Sequence, residues 1–399
     1  MQIALVTETA KIAGAEMNLI MIATRLRKRG HTVFAVLPRK GPLADRVHEA
    51  NVSICTVPLP GFVSTSLLIG GRYKVPNLFG FIISIVAGCV WFFRLYRCFQ
   101  RRRPDVVHTM SMWSHAIAGL AGQLAGASVV WHFQDVVGPY AGFGLYRWLV
   151  VQWSRRVPDC ILCVSDVVAD QFQGDPTAAS KVQILENTVN TDLFRPCSTR
   201  SLGNGIAHPA KLTIGTAARL IPWKGQEVAL RSARILKERN IPFHWFFAGD
   251  EALGSRSYRS FLEELVERWD LEENVTFLGW VPDMPRFYNQ VDVLVHTPVE
   301  PEPMALALLE AMASGLPLVV SRGGGADHLI EKGGGILVPP RDPEAVANVL
   351  LELVRSPEDR LERGTLARNL TEQMSGLDGY VDQLVRIYRS LQTKKDLIS

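Results

Sequence analysis

Apolar positions in the first forty residues switch between two spacings. Ile3 to Val6 is an unbroken apolar run, the pattern of a buried strand, and Thr7 to Ala15 follows as a loop of small residues. From about Glu16 to Arg29 the spacing is helical, with Met17, Ile20, Met21 and Thr24 expected on one face. Gly30-His31 ends that helix, and Thr32 to Leu37 reads as the next strand. The unit then repeats: Asp105 to His108, Ser128 to Trp131 and Cys160 to Val164 are short β-rich runs separated by helix-length spacers. Such alternation predicts an α/β, doubly wound, mostly parallel sheet.

Around residues 197–212 the apolar period disappears into Ser, Gly, Asn, His and Pro. Alternation restarts with Leu212 to Thr216, Phe243 to Ala248, Val275 to Leu278, Val291 to His296 and Leu316 to Ser321. The chain therefore reads as two Rossmann-like domains, 1–200 and 201–375, facing across a cleft that is the default ligand site. A further helix occupies the tail, 376–399.

One segment fits three readings. Leu78 to Phe93 is almost wholly apolar and is followed by Arg94, Arg97 and Arg101 to Arg103. It can be a buried helix feeding the Asp105 strand, a helix lying on anionic lipid, or a membrane span, although it is shorter than the roughly 20 residues a span needs.

Composition narrows the class without naming it. The 399 residues are 47% hydrophobic and 21% charged, which excludes collagen-like, low-complexity and broadly disordered chains. Six cysteines over this length make no disulfide framework; Cys160 and Cys163 form either part of a buried strand or half of a metal site whose second half is missing. Residues 1–200 carry 21 Lys and Arg against 12 Asp and Glu, whereas the remainder carries 22 against 27. The first half is thus suited to an anionic partner: lipid headgroups, nucleic acid or a phosphorylated acceptor. Met1 leads directly into the first strand without a cationic and hydrophobic leader, so a cytoplasmic location is expected, with the inner face of the membrane as its variant.

Four places carry candidate chemistry. In Pro298 to Gly315, Pro303 can open a helix, which puts Glu302 just ahead of it and Glu310 two turns inside. The first-turn N–H groups of Met304, Ala305 and Leu306 would then face an anion such as a phosphate; two ordinary surface glutamates are the plainer reading. Arg219 and Lys224 follow a strand and could neutralise a departing diphosphate, or form a solvated charge pair. Ala13-Gly14-Ala15-Glu16 allows close backbone approach at a helix start but lacks the further glycines of the dinucleotide fingerprint. His132 ends a strand, where it can bond a substrate hydroxyl or simply satisfy the core.

Taken together these positions resemble the retaining glycosyltransferases of family four, which share the GT-B fold. The resemblance is strongest over 275–340, in FLGWVPDMPRFYNQVDVLVHTP, the paired glutamates, LLEAMASGLPLVVS and GGGILVPPRDPEAVANVL, with weaker matches at Gly14, His132, Ser165 and Asn187 to Phe194. It implies a C-terminal domain that binds a nucleotide sugar, an N-terminal domain that binds the acceptor, and a tail helix near 376–391 crossing back to the first domain. By the same resemblance Arg219 and Lys224 would clamp the diphosphate, Glu302 would contact the transferred sugar and Met304 to Leu306 would bind through backbone amides. Glu310 would hold the ribose, Gly14 would line the phosphate side, His132 would meet the sugar and Val281 would border the base. Departures from the family pattern are Pro303-Met304-Ala305 in place of Gly-Phe-Gly, His328 in place of a glutamate, Asn190 in place of an aspartate and Thr188 in place of a glycine.

The function implied is retaining transfer of a sugar to a saccharide or lipid-linked acceptor, in polysaccharide or glycolipid assembly. No Asp-x-Asp occurs, so no metal or other cofactor is expected. The competing readings are a nucleotide-sugar-binding protein without transfer and an isomerase or phosphorylase on the same fold. A nucleic-acid partner is disfavoured because the basic residues form no recognition motif.

Overall fold

The computed structural model describes residues 1–12, 14–60, 66–69, 73–76, 78–137, 145–197, 211–251, 256–374 and 376–397. Its strands are β1 (Gln2–Val6), β2 (Thr32–Leu37), β3 (Ser53–Thr56), β4 (Ser66–Ile69), β5 (Tyr73–Pro76), β6 (Val106–Thr109), β7 (Ser128–Phe133), β8 (Cys160–Cys163) and β9 (Val182–Ile184), then β10 (Leu212–Ala217), β11 (Phe243–Ala248), β12 (Val275–Gly279), β13 (Val293–His296), β14 (Leu318–Ser321) and β15 (Gly335–Val338). They form a seven-stranded sheet in the order β3-β2-β1-β6-β7-β8-β9, a six-stranded sheet in the order β12-β11-β10-β13-β14-β15, and the antiparallel hairpin β4-β5. Both large sheets are parallel throughout, as the alternation predicted.

In the N-terminal sheet, neighbouring positions along each strand feed opposite layers. Ile3, Leu5, Val106 and Val130 face a layer built from the helices Gly14–Lys28, Pro42–Glu49 and Gly376–Asp396. Ala4, Val6, Phe34 and Val107 face Trp91, Leu95 and Phe99 of the helix Leu78–Arg102. The first helix presents Leu19, Ile22, Ala23 and Leu26 to the sheet, while Met17 is exposed and Ile20, Met21 and Thr24 are half-buried. The inward stripe is thus rotated from the one expected. Two apolar stripes lie side by side on this helix, and only the one without a polar or long flexible member packs flat on the strands.

The Leu78–Arg102 helix bears out the buried-helix reading along one face and exposes the other. One face is core: Ala87, Trp91, Leu95 and Phe99 are buried, and Trp91 Nε1 donates to Val57 O at 3.2 Å. Burying each large apolar side chain contributes about 1.5–3 kcal/mol, so a span that pulled this face into lipid would surrender the sheet's cover. The opposite face, carrying Ile82, Ile85, Val86, Val90 and Phe93, is exposed.

Cys160 and Cys163 occupy the two ends of β8, both buried, and burial pushes each thiol up to about 12. Three residues apart on a strand they point to opposite faces, so they cannot share a metal ion.

The chain divides into two compact units, Met1–Leu185 with Asp378–Ser399, and Glu186–Leu377. The division falls ahead of the loop at 200 because the intervening segment is bonded into the second unit. Asn187 Nδ2 donates to Met304 O at 3.3 Å, and Arg368 Nη1 donates to the carbonyls of Thr191 and Phe194 at 3.0 and 2.7 Å. Asn289 accepts from the Cys197 N–H at 2.8 Å. The final helix belongs to the first unit, where Tyr380, Leu384 and Tyr388 complete the core and Arg29 pairs with Asp378 and Asp382.

Candidate active site

In an open parallel sheet, ligands bind beyond the carboxyl ends of the strands, where the strand order reverses. For the C-terminal sheet that point lies between β10 and β13, and the loops leaving these two strands carry most of the expected residues. β10 ends at Ala217, and Arg219 follows, exposed, with no ion pair among the described residues. One short turn later Lys224 points inward and is 9% exposed.

The turn is built around Gly225. Its φ is +70°, and a Cβ there would lie 1.7 Å from Thr297 O, so only glycine lets this loop close on β13. Thr297 Oγ1 donates back to Gly225 O at 3.0 Å, and the Val299 N–H donates to Trp223 O at 2.9 Å. The loop is therefore stitched to the stretch that runs from His296 to Glu302.

Glu302, 6% exposed, accepts from the Lys224 ammonium and from His296 Nε2, the latter at 3.2 Å. Burial alone would raise its carboxyl; the Lys224 charge and the His296 bond outweigh it and hold the group at about 2. The carboxylate stays ionised, and both bonds fall on Oε2. His296 Nδ1 is buried without a partner among the described residues. Behind Glu302 the glycine run folds close: the Gly325 N–H donates to Glu302 O at 2.8 Å, and a Cβ on Gly324 would lie 3.1 Å from that oxygen.

The expected helix starts later than Pro303. It runs Leu306–Ala313 with Ala305 as its extended N-cap, so Leu306 is its first residue and Met304 is buried ahead of it, its carbonyl taken by Asn187. The N–H groups of Met304 and Ala305 thus lie in an extended segment ahead of the first turn, which begins at Leu306. Glu310 lies in this helix, where Tyr288 donates to it at 2.9 Å. Burial raises the Glu310 carboxyl to about 6 in spite of that bond. Val281 lies half-buried in the loop between β12 and the helix Met284–Tyr288, beside exposed Trp280.

Gly14 and His132 belong to the other unit. Gly14 is exposed at the first residue of its helix. His132 is wholly buried on β7 and engaged at both ring nitrogens: Nδ1 lies 3.2 Å from His108 Nε2, and Nε2 lies 2.9 Å from Gln134 Nε2. His108 Nδ1 in turn bonds the Tyr388 hydroxyl on the final helix at 2.5 Å. Desolvation keeps these rings neutral, with His132 and the nearby His115 lowered to about 3 and His108 lowered well below its ordinary value. A neutral chain Gln134–His132–His108–Tyr388 satisfies every bond. At the reversal point of this sheet, between β1 and β6, Glu8 accepts from the Ser114 N–H at 3.2 Å and from the Ser111 hydroxyl, and burial raises its carboxyl to about 7.

The structure thus gathers Lys224, Glu302, His296 and the Arg219 loop in one unit and holds Glu310 nearby in sequence through Tyr288. Sequence reasoning passed over His296, Tyr288, His108 and Glu8. His296 had a signal, since it ends an apolar strand six residues before Glu302. The bond of His108 to Tyr388 had none, because the two lie 280 residues apart in the chain. Among the described residues no group of three or more His, Cys, Asp or Glu side chains is placed to hold a metal ion.

Comparison with known proteins bears on the family and the fold. The chain is 31% identical over 236 residues to a D-inositol 3-phosphate glycosyltransferase of Corynebacterium urealyticum, covering 57% of this chain and 55% of that protein. It is 25% identical over 295 residues to the UDP-Gal:alpha-D-GlcNAc-diphosphoundecaprenol alpha-1,3-galactosyltransferase of Escherichia coli, covering 70% and 73%. Over the first such relatives the chain spans between 50% and 64% of their length. The crystal structure of Anabaena HepE in complex with UDP and glucose superposes with a TM-score of 0.83 over 98% of this chain and 100% of the other, at 21% identity, and shows that the fold is GT-B. A Glycosyltransferase Family 4 profile matches residues 12–193 and a Glycosyl transferases group 1 profile matches residues 206–370. With both units so matched, the chain belongs to the family-four, group 1 glycosyltransferases.

Proposed function

We propose that this chain transfers a sugar from a nucleotide-sugar donor, with retention of configuration, to a saccharide or lipid-linked acceptor in cell-surface polysaccharide or glycolipid assembly. The observation that carries the reading is the buried Lys224–Glu302 pair at the reversal point of the C-terminal sheet. Breaking a glycosidic bond to a diphosphate builds negative charge on the leaving oxygen and positive charge on the sugar. Arg219, exposed on the β10 loop, and the first-turn N–H groups from Leu306 answer the first charge. Glu302 answers the second. Its carboxylate remains ionised far below neutral pH, so it acts as an acceptor for sugar hydroxyls and a counter-charge, not as an acid. With Oε2 held by Lys224 and His296, Oε1 is the oxygen left for the ligand.

Glu310, two turns further, accepts from ribose hydroxyls, with Tyr288 fixing its orientation, and Val281 and Trp280 border the base. The N-terminal unit takes the acceptor. There His132 acts as a positioning residue through Gln134, and Gly14 offers backbone at a helix start. No bound metal is needed, because the cations of the protein balance the diphosphate. Relatives support the substrate classes: the Escherichia coli relative is named for a UDP-sugar donor and a diphosphoundecaprenol acceptor, and HepE holds UDP and glucose. The chain acts at the cytoplasmic side, in peripheral contact with the membrane.

The test is nucleoside diphosphate release from UDP-, GDP-, ADP- and TDP-sugars, with and without EDTA and a detergent-solubilised membrane extract. Release from one donor, dependent on the extract and indifferent to EDTA, supports the reading. Glu302→Gln should keep measurable transfer, whereas complete loss with normal donor binding would make Glu302 a nucleophile. Binding of a donor without release under any condition would leave a nucleotide-sugar-binding protein.

A further inference from the structure

On the N-terminal sheet one helical layer is finished in charge and the other in hydrocarbon. The steps β3 to β6, β6 to β7 and β7 to β8 all advance across the sheet in one direction, so their right-handed connections lie on one side. On that side the Leu78–Arg102 helix turns Ile82, Ile85, Val86, Val90 and Phe93 outward at 36–61% exposure. These positions recur at helical spacing for about three turns. The same side carries exposed Trp148, Leu149 and Trp153 on the helix Leu145–Ser154, whose end joins the neighbouring helix Gly119–Leu124 through a bond from Gln123 Nε2 to Arg156 O at 2.7 Å.

The helix that carries this apolar face has charge of one sign. From residue 78 to residue 103 the sequence contains no Asp or Glu, yet it holds Arg94, Arg97 and Arg101 to Arg103. Arg94, Arg97 and Arg101 are exposed on the turns that follow Phe93, and Arg97 continues the outward stripe. Arg156, also exposed, follows Trp153, whereas Arg155 is paired with Asp175. An apolar strip with tryptophans and a rim of arginines is complementary to one environment, the boundary between acyl chains and anionic headgroups.

We propose that this face lies on an anionic lipid bilayer, with the outward side chains of Ile82, Ile85, Val86, Val90 and Phe93 in the acyl boundary and Arg94, Arg97 and Arg101 on the headgroup phosphates. The helix lies in the interface and does not cross it, because its other face is the core of the sheet. The inference deepens the membrane-borne acceptor reading given above and would deliver the N-terminal unit to such an acceptor.

Vesicle co-sedimentation of the full chain tests it, with phosphatidylcholine alone and with phosphatidylcholine containing phosphatidylglycerol, at low and high salt. Binding is expected only to the anionic vesicles and should weaken with salt. Ile85→Glu with Phe93→Glu should lower the bound fraction about tenfold or more. Arg97→Gln with Arg101→Gln should lower it about fivefold per charge, with melting temperatures unchanged in both variants. Equal binding by wild type and the folded variants would overturn the proposal. So would absent binding, including the case in which sedimentation equilibrium finds a dimer that Phe93→Glu dissociates, since a second copy then covers the face. Diphosphate release towards a soluble acceptor is measured beside it. If release persists while vesicle binding fails, only the surface assignment falls.

Discussion

Beyond the end of β13, Glu302 keeps its charge because an ammonium lies against it; on β7, His132 carries none because no counter-charge is there. The C-terminal sheet ends in a buried ion pair fixed by a glycine turn, and the N-terminal sheet in a chain of neutral rings and hydroxyls. A site that handles a diphosphate needs fixed charge, and a buried pair supplies it ready oriented. A site that handles hydroxyl groups needs donors and acceptors without strong charge. The two edges thus differ in kind: one offers fixed charge and the other neutral donors and acceptors.

The largest effect should come from breaking the pair. Lys224→Ala leaves a buried carboxylate uncompensated, which costs about 3–5 kcal/mol, and should reduce diphosphate release by at least about a hundredfold. Chemical denaturation reads the first and turnover the second. Adding Glu302→Gln should restore much of the stability and none of the rate, which separates the structural role of the lysine from its electrostatic one.

An acid titration sharpens the contrast between units. His108, His115 and His132 have depressed folded values, so the unfolded chain binds more protons and the N-terminal unit loses stability as pH falls below about 6.5. Glu8, raised to about 7, works the other way between about pH 4.5 and 7. The histidines outnumber Glu8, so the net effect is a loss of stability as pH falls from 6.5 to 4.5. In the C-terminal unit Glu302 contributes stability that is complete above about pH 4.5 and disappears towards pH 2, about 3 kcal/mol in all. Indole fluorescence of single-tryptophan variants, keeping Trp131 or Trp245, should show the N-terminal unit yielding first.

A smaller change is expected from Tyr288→Phe. Loss of the hydroxyl bond costs about 1 kcal/mol and raises the Glu310 carboxyl above its present value of about 6, so donor binding should weaken as pH falls from 8 to 6. Isothermal titration with the nucleoside diphosphate checks the direction. Smallest of all is Asp382→Ala, which removes a solvent-exposed partner of Arg29 and should shift stability by about 0.5 kcal/mol or less. A larger loss there would mean that the final helix depends on charge as well as on Tyr380 and Tyr388.

The strands were legible because a parallel sheet covered on both faces writes itself as short, continuous apolar runs, as Cys160 to Cys163 and Phe243 to Ala248 show. Lys224 was legible from its place after a strand, and Glu302 from its place ahead of the helix that Pro303 allows. The turn that joins them was not, since the closeness of Gly225 to Thr297 depends on a pairing between β10 and β13 that no local pattern records. The onset of the helix at Leu306 was missed for a related reason. Proline at 303 permits a helix start, but burial of Met304 and its bond from Asn187 hold the chain extended for two more residues. The first helix shows a limit of periodicity itself, because two adjacent stripes compete and only the shape of the sheet selects between them.

The interrupted course of the N-terminal unit has a consequence for synthesis. Its layer of Leu19, Ile22 and Leu26 is closed by Tyr380, Leu384 and Tyr388, so the whole of Glu186–Leu377 must be translated before that cover exists. At ordinary ribosome speeds this interval is on the order of tens of seconds. The second unit, continuous in the chain, can finish folding first. The nascent N-terminal unit meanwhile presents an open hydrophobic seam, the kind of surface that chaperones hold until the last helix leaves the exit tunnel.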